Sequence, residues 1–230
     1  MPLIFAFDLD GTLLDNVRLK AQPFLREMVK FGVDRDLALN RFLLGVGLPH
    51  RTVARQLFAE CGKKVPEAAL LKASDRIKKQ WERDVLKFKL MPGARRTLEA
   101  LKADGHVIVM SSSAYPGEIK AILKRKRIRK LFDGVFGYSD RNPKFIKGQV
   151  HNEMARRIAE KKGVRRNAKL VYIGDGLFDM QKTRATRGAI AVGITGTVSR
   201  EHLFKAGAHH VVENLTELIP LSRTLERKRR

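Results

Sequence analysis

Short runs of consecutive apolar residues alternate along the chain with longer stretches in which apolar residues return every three or four positions. Residues 3–7, 107–110, 170–173 and 189–192 are unbroken apolar runs, each ending in small or acidic residues. Runs of that length without polar alternation are expected of strands buried on both faces of a parallel sheet. A shorter run at 134–137 is a fifth candidate. Between them the spacing is helical, as in Ala94, Leu98 and Leu101 ahead of the second run, so strand and helix alternate as βαβ units. The expected fold class is α/β, with a Rossmann-like open parallel sheet, and ligands of such sheets bind at the carboxyl ends of the strands.

One stretch breaks the alternation. From Val17 to Phe88 every pattern is helical, punctuated by Gly32, Gly45, Gly47, Pro49, Gly62 and Pro66. Its length fits four helices, with Trp81 and several Phe and Leu residues available for a small bundle core. The sequence therefore divides into a sheet core at 1–16 and 89–222, a helical insertion at 17–88, and a frayed basic tail at 223–230.

Composition narrows the class. The 230 residues are 43% hydrophobic and 31% charged, which suits a globular chain and excludes a wholly disordered one. Cys61 is the only cysteine, so no intramolecular disulfide can form, and a reducing cytoplasm fits best. No apolar run approaches the ~18 residues of a membrane span, and the first lacks the features of a cleaved signal, so no membrane insertion or export is expected.

The 47 lysines and arginines outnumber the 24 acids by 23, a balance that concentrates anions without naming one. The densest run, 120–130, and the pairs Arg156-Arg157, Lys161-Lys162 and Arg165-Arg166 are interleaved with apolar residues such as Ile119, Ile122, Leu123 and Ile158. They read as solvated faces of amphipathic helices in preference to a nucleic-acid surface, because aromatics for base stacking are scarce and no nucleic-acid module is present.

Chemistry concentrates where the apolar runs end. Asp8 and Asp10 follow the first run, and buried carboxylates at alternate positions call for a cation, a reaction or both. Gly11 allows a sharp turn there. Asp175 and Asp179 follow the third of the four longer runs; if those strands are parallel neighbours, Asp8 and Asp175 meet at one edge of the sheet. Ser111, Ser112 and Ser113 end another run and offer hydroxyls and amides to phosphate oxygens. Lys144 and Lys147 precede a helix beginning near Gln149 and bring positive charge.

In this order the elements resemble the haloacid dehalogenase-like superfamily, specifically its phosphatases with a helical cap, such as phosphoglycolate phosphatase. The resemblance rests on Asp8-Leu9-Asp10-Gly11-Thr12-Leu13, on Ser111 after its apolar run, on a lysine ahead of a helix, and on Asp175 with Asp179. The lysine falls on Lys147, with Lys144 as the competing candidate; Gly148 stands where many capped relatives have proline. Weaker echoes lie at 91–98 and 206–212, and the helical insertion resembles the family's cap.

The resemblance implies a phosphoric monoester hydrolase. Asp8 attacks phosphorus and forms an aspartyl-phosphate, Asp10 serves as acid and base, and Ser111 and Lys147 complete the catalytic set. Gly11, Thr12, Ser111, Ser112 and Lys147 would bind phosphate. Magnesium would take Asp8, the Asp10 carbonyl and Asp175, with Asp179 as an inner or outer ligand. The second acid favours phosphoryl transfer over dehalogenation. The expected substrate is a small phosphorylated metabolite; a sugar-phosphate mutase and a nucleic-acid-end phosphatase or nucleic-acid-binding protein are the alternatives. Arg18, Lys20, Gly47, His50 and Arg51 are candidate lid contacts. The six histidines show no metal-ligand spacing, and His209-His210 reads as a surface pair.

Overall fold

A computed structural model describes residues 1–114, 116–137, 149–165 and 167–227. Six parallel strands form the main sheet: β1 (Ile4–Phe7), β4 (Val107–Ser111), β5 (Gly134–Phe136), β6 (Leu170–Gly174), β7 (Ala189–Ile194) and β8 (His210–Val212). Their spatial order is β5-β4-β1-β6-β7-β8. From the central β1 the chain builds outward through β4 to β5, then returns to β6 on the other side of β1. That reversal puts the topological switch point between the carboxyl ends of β1 and β6, where Phe7 lies opposite Ile173.

The unbroken apolar runs are explained by helices on both faces. Phe5, Phe7, Ile108, Met110, Val171 and Ile173 point to a layer that includes α5 (Ala94–Ala103), α6 (Pro116–Arg125) and α10 (Leu218–Arg227). Ile4, Ala6, Val107, Val109, Leu170 and Tyr172 point the other way, toward α7 (Gln149–Lys161), which packs with Ala155 and Ala159. Beyond them α8 (Leu177–Arg184) and α9 (Arg200–Lys205) cover β7 and β8 with Met180 and Leu203.

Four helices, α1 (Val17–Lys30), α2 (Arg35–Leu44), α3 (His50–Glu60) and α4 (Glu67–Asp84), follow the first strand and bury their own apolar cluster, centred on Phe24, Leu25, Met28, Leu57 and Ile77. The chain enters and leaves this bundle through β2 (Leu14–Asp15) and β3 (Lys89–Leu90), two residues each, paired antiparallel. The amide of Met91 donates to the Leu13 carbonyl at 2.9 Å and extends the pairing into the core.

Three features differ from the sequence expectation. Strands β2 and β3 are too short to show a period, and β8 is absent from the runs read as strands because three residues at a sheet edge carry little apolar signal. The basic tail does not begin at 223: α10 runs to Arg227, and Leu225 is buried among the sheet's apolar residues, so periodic burial outweighs the local charge. Residues 228–230 lie outside the described residues. No described helix is long and apolar enough to cross a membrane.

Candidate active site

β1 ends at Phe7, and Asp8 follows with its amide donating to the Ile173 carbonyl of β6 at 2.9 Å. This cross-strand bond fixes the Asp8 backbone at the switch point. Asp175 follows β6, and Asp179 lies in the first turn of α8. One carboxylate oxygen from each of Asp8, Asp175 and Asp179 lies within 4.8 Å of the others, and all three residues are buried. Three buried carboxylates this close repel strongly unless a cation joins them. Hard oxygen donors in that number fit a magnesium-type ion.

The surrounding residues hold these carboxylates in place. Thr12, fully buried, donates its hydroxyl to Asp175 Oδ1 at 3.2 Å, and the Thr197 hydroxyl donates to Asp175 Oδ2. The Tyr172 hydroxyl donates to Asp179 Oδ1 at 3.3 Å. Gly174 permits the close approach of Asp179, because a Cβ there would lie 2.7 Å from Asp179 Oδ2. Gly11 has φ +72, and a Cβ at that position would lie 1.9 Å from Asp175 Oδ2. Both the backbone conformation and the space therefore demand glycine.

Asp10 is turned elsewhere. Its carboxylate accepts from Asn16 Nδ2 and from Lys20 Nζ, each at 2.5 Å, and so faces the helical insertion instead of joining the acidic cluster. The carboxylate of Asp10 therefore stands outside the acidic cluster, which leaves its carbonyl for the expected ligand role. Lys20 sits over the rings of Trp81 and Phe88, 5.3 and 5.7 Å from their centroids, while Trp81 Nε1 donates to the Lys20 carbonyl at 2.8 Å. Cation–π contacts and an ion pair together fix a lysine of α1 beside a carboxylate of the core.

Two of the residues expected to contact phosphate have groups engaged within the protein. The Gly11 amide is engaged by Asn16 Oδ1 at 3.2 Å and by the Leu14 carbonyl at 2.9 Å, and the Thr12 hydroxyl is spent on Asp175. Both residues build the loop that carries the carboxylates. Ser111 ends β4 fully buried, and the Ser112 amide bonds the Phe136 carbonyl at 3.1 Å; Ser113 is exposed. Lys144 and Lys147 lie outside the described residues.

Among the lid candidates, Lys20 and Gly47 approach the core. Gly47 has φ +95, and its Cβ position lies 3.5 Å from Phe178 Cβ; nearby, the Val46 carbonyl is 2.9 Å from where a Gly176 Cβ would be. His50 instead bonds within the helical insertion, its Nε2 2.6 Å from Ser74 Oγ and its ring edge-on to Trp81. Burial, aided by the charge of Arg51, pushes its pKa down to about 4, so the ring is neutral at pH 7. Arg18 and Arg51 are exposed. His209 is exposed, as expected of a surface pair, yet its Nδ1 accepts from the Ala191 amide at 3.0 Å and closes the edge of β7.

Sequence reading missed Asn16, Thr197 and Tyr172, because each is a common residue whose role arises only from contacts across the fold. Asn16 offered a faint signal, as a polar residue just before an amphipathic helix, but it makes no side-chain cap bond and serves Asp10 and Gly11 instead.

Comparison with known proteins agrees with this geometry. No curated protein sequence matches the chain significantly. Among solved structures, a predicted phosphoglycolate phosphatase from Haemophilus somnus is similar at 18% identity with a TM-score of 0.76, covering 96% of this chain and 98% of that one. A predicted phosphatase from Clostridium acetobutylicum is similar at 24% identity and TM-score 0.73, covering 98% and 99%. A conserved haloacid dehalogenase-like protein of unknown function from Agrobacterium tumefaciens is similar at 19% and 0.78, covering 99% and 100%. These likenesses establish a shared fold. A family model described as haloacid dehalogenase-like hydrolase matches residues 5–192, spanning β1, the helical insertion and both acidic loops, and the chain belongs to that family.

Proposed function

We propose that the protein is a magnesium-dependent phosphatase acting on a small phosphorylated metabolite, in the manner of a phosphoglycolate phosphatase. The observation that carries this reading is the division of labour between the acids: Asp8, Asp175 and Asp179 gather at the switch point, while the Asp10 carboxylate faces the helical insertion. A dehalogenase needs no second acid of that kind. Phosphoryl transfer needs one, because the leaving alkoxide must be protonated.

In the proposed mechanism Asp8 attacks phosphorus in line and becomes the aspartyl-phosphate. Asp8, Asp175 and Asp179 would hold a Mg2+, which would supply positive charge to offset the repulsion between carboxylate and phosphate. Asp10 protonates the leaving oxygen, then takes a proton from the water that releases phosphate. Ser111 binds a phosphate oxygen, and Lys147 adds a second cation. Helices α1–α4, with Lys20 and the loop around Gly47, act as a cap that excludes water over the bound substrate.

The test is phosphate release from phosphoglycolate, sugar phosphates, nucleotides and 3′-phosphorylated oligonucleotides, with and without Mg2+, alongside Asp8→Asn. Release that needs Mg2+ and disappears in Asp8→Asn supports the phosphatase. Interconversion of sugar phosphates without release identifies a mutase, and turnover of oligonucleotides alone replaces the metabolite with a nucleic-acid end.

A further inference from the structure

The positive charge is concentrated. Residues 120–130 hold seven lysines and arginines and no acid, and residues 156–169 hold seven with Glu160 as the only acid. These 25 residues thus carry a net +13 of the chain's +23. In sequence the two segments are separate amphipathic helices with their following loops; the fold brings those loops to one edge of the molecule.

The convergence follows from topology. All strands of the main sheet are parallel, so every loop leading from a helix into a strand lies at its amino-terminal edge, opposite the edge that carries Asp8, Ser111 and Asp175. The loops after α6 and after α7 are both of this kind. Asp133, at the start of β5, ties them together: it accepts from Lys102 Nζ at 2.6 Å, from Lys162 Nζ at 2.8 Å and from the Ile108 amide at 2.9 Å. Its carboxyl is held below the usual carboxylate range because these bonds outweigh the cost of its burial. One carboxylate therefore neutralises part of the charge and anchors the rest.

The remaining cations are displayed on a fixed frame. Arg95 donates to the carbonyls of Lys126 and Arg127 at 2.7 and 3.0 Å, and Arg127 holds φ 55, so the turn after α6 is a defined structure. Arg127, Lys130, Lys161 and Arg165 are exposed, Lys126 is half-buried, and none of the five forms an ion pair with a described residue. Basic residues commonly close helices because they complement the dipole. That accounts for a cation in a last turn, and it does not account for loops in which nearly every polar residue is basic.

The surface also says what it would bind. Neither segment holds any of the large exposed hydrophobic residues among the described residues, which are Met1, Leu19, Val29, Leu37, Leu71, Met154 and Phe204. A membrane surface would be expected to present such residues for insertion. No Phe, Tyr or Trp is present in either segment, so bases have nothing to stack on. Exposed cations, unpaired among the described residues and without apolar or aromatic contacts, suit a phosphodiester backbone.

We propose that the amino-terminal edge of the sheet, built around Lys126, Arg127, Lys130, Lys161 and Arg165, binds nucleic acid through its phosphates and without sequence preference, leaving the active site at the opposite edge open.

The test uses the full chain, a labelled RNA of about 20 nucleotides, a DNA duplex of similar length, and a salt series between about 50 and 200 mM. The triple variant Lys126→Gln, Lys130→Gln, Lys161→Gln is compared with Lys64→Gln, Lys72→Gln, Lys79→Gln, which removes the same charge from the helical insertion. The first should weaken binding at least about tenfold near 100 mM salt and lower the salt slope by about two on the RNA and nearly three on the duplex, at ~0.7 and ~0.9 per lost phosphate contact. The second should stay within about twofold, and both should keep the wild-type melting temperature. Equal weakening in the two variants, or no binding by the wild type, overturns the proposal. Loss of binding to phosphatidylserine vesicles, with RNA binding unchanged, assigns the edge to a membrane instead. None of these readouts depends on phosphatase activity.

Discussion

Gly11→Ala places a single methyl group where the fold has no room. The new Cβ would lie 1.9 Å from Asp175 Oδ2 and 2.5 Å from its Cγ, with Val17 Cγ2 at 2.7 Å on another side. Ordinary contact begins near 3.4 Å, so the Asp175 carboxylate must retreat by about 1.5 Å or the loop must open. Retreat strains the hydroxyl bonds from Thr12 and Thr197 and takes one carboxylate out of the three-acid cluster. A misplacement of ~1 Å in a reacting constellation costs on the order of 100-fold, and the proposed metal ligand is itself displaced. The backbone adds ~1–2 kcal/mol, because φ +72 is unfavourable for alanine. Gly163→Ala separates the two effects, since Gly163 has φ +76 and nothing within 4 Å of its Cβ position. Gly163→Ala should lose about 2–8 °C of Tm and Gly11→Ala more, but only Gly11→Ala should lose phosphatase kcat/KM, by about 100-fold or more, together with Mg2+ affinity. Activity of Gly11→Ala within threefold of wild type, or an equal loss in Gly163→Ala, would refute the steric argument.

Other expectations follow from single contacts. Lys20→Met keeps most of the aliphatic stem against Trp81 and Phe88 but removes the cation at the Asp10 carboxylate; steady-state kinetics should show kcat reduced about 10- to 100-fold by poorer placement of the acid–base group, and an unchanged kcat would sink the positioning role. His50 has its pKa pushed down to about 4 by burial, then by Arg51, with Lys20 and Lys78 also nearby. Its contribution is full above the unfolded value near 6.5 and is lost as pH falls toward 4, an effect of up to ~3 kcal/mol. Denaturant titrations between those limits should therefore give a shallower loss of stability for His50→Gln than for wild type, and parallel curves would contradict the assignment. Thr97 Oγ1 is buried with no hydrogen-bond partner among the described residues; Thr97→Val should be neutral or stabilising by ~1 kcal/mol in chemical denaturation, and clear destabilisation would reveal a bond to the hydroxyl.

Those residues also show what a linear reading can reach. The strands were legible because helices cover both faces of the sheet, which leaves β1, β4, β6 and β7 as unbroken apolar runs. Asp8 and Asp175 were legible because a carboxylate at the end of such a run is out of character for its surroundings. Thr12 and Gly11 were legible as site residues, but the protein contacts they make were not. Nothing local indicates that the Thr12 hydroxyl turns to Asp175, 163 positions away, or that the Gly11 amide is already engaged by Asn16. The direction of Asp10 depends on Lys20, whose position is set by the Trp81 indole donating to its carbonyl across 61 residues. The two basic loops likewise appear independent until the parallel sheet places them on one edge. What escapes the sequence is the set of long-range polar contacts, since their energy depends on tertiary position and carries no period along the chain.

In the proposed reaction the Asp8 carboxylate becomes covalently phosphorylated during turnover. A single-turnover reaction with the best substrate of the panel and Mg2+, quenched in acid and analysed by peptide mass spectrometry, tests it directly. The account predicts one added phosphoryl group on Asp8 that appears and decays at rates consistent with kcat, and neither adduct nor phosphate release in Asp8→Asn. Phosphate release by wild type with no adduct at any time point, together with activity retained in Asp8→Asn, would contradict it.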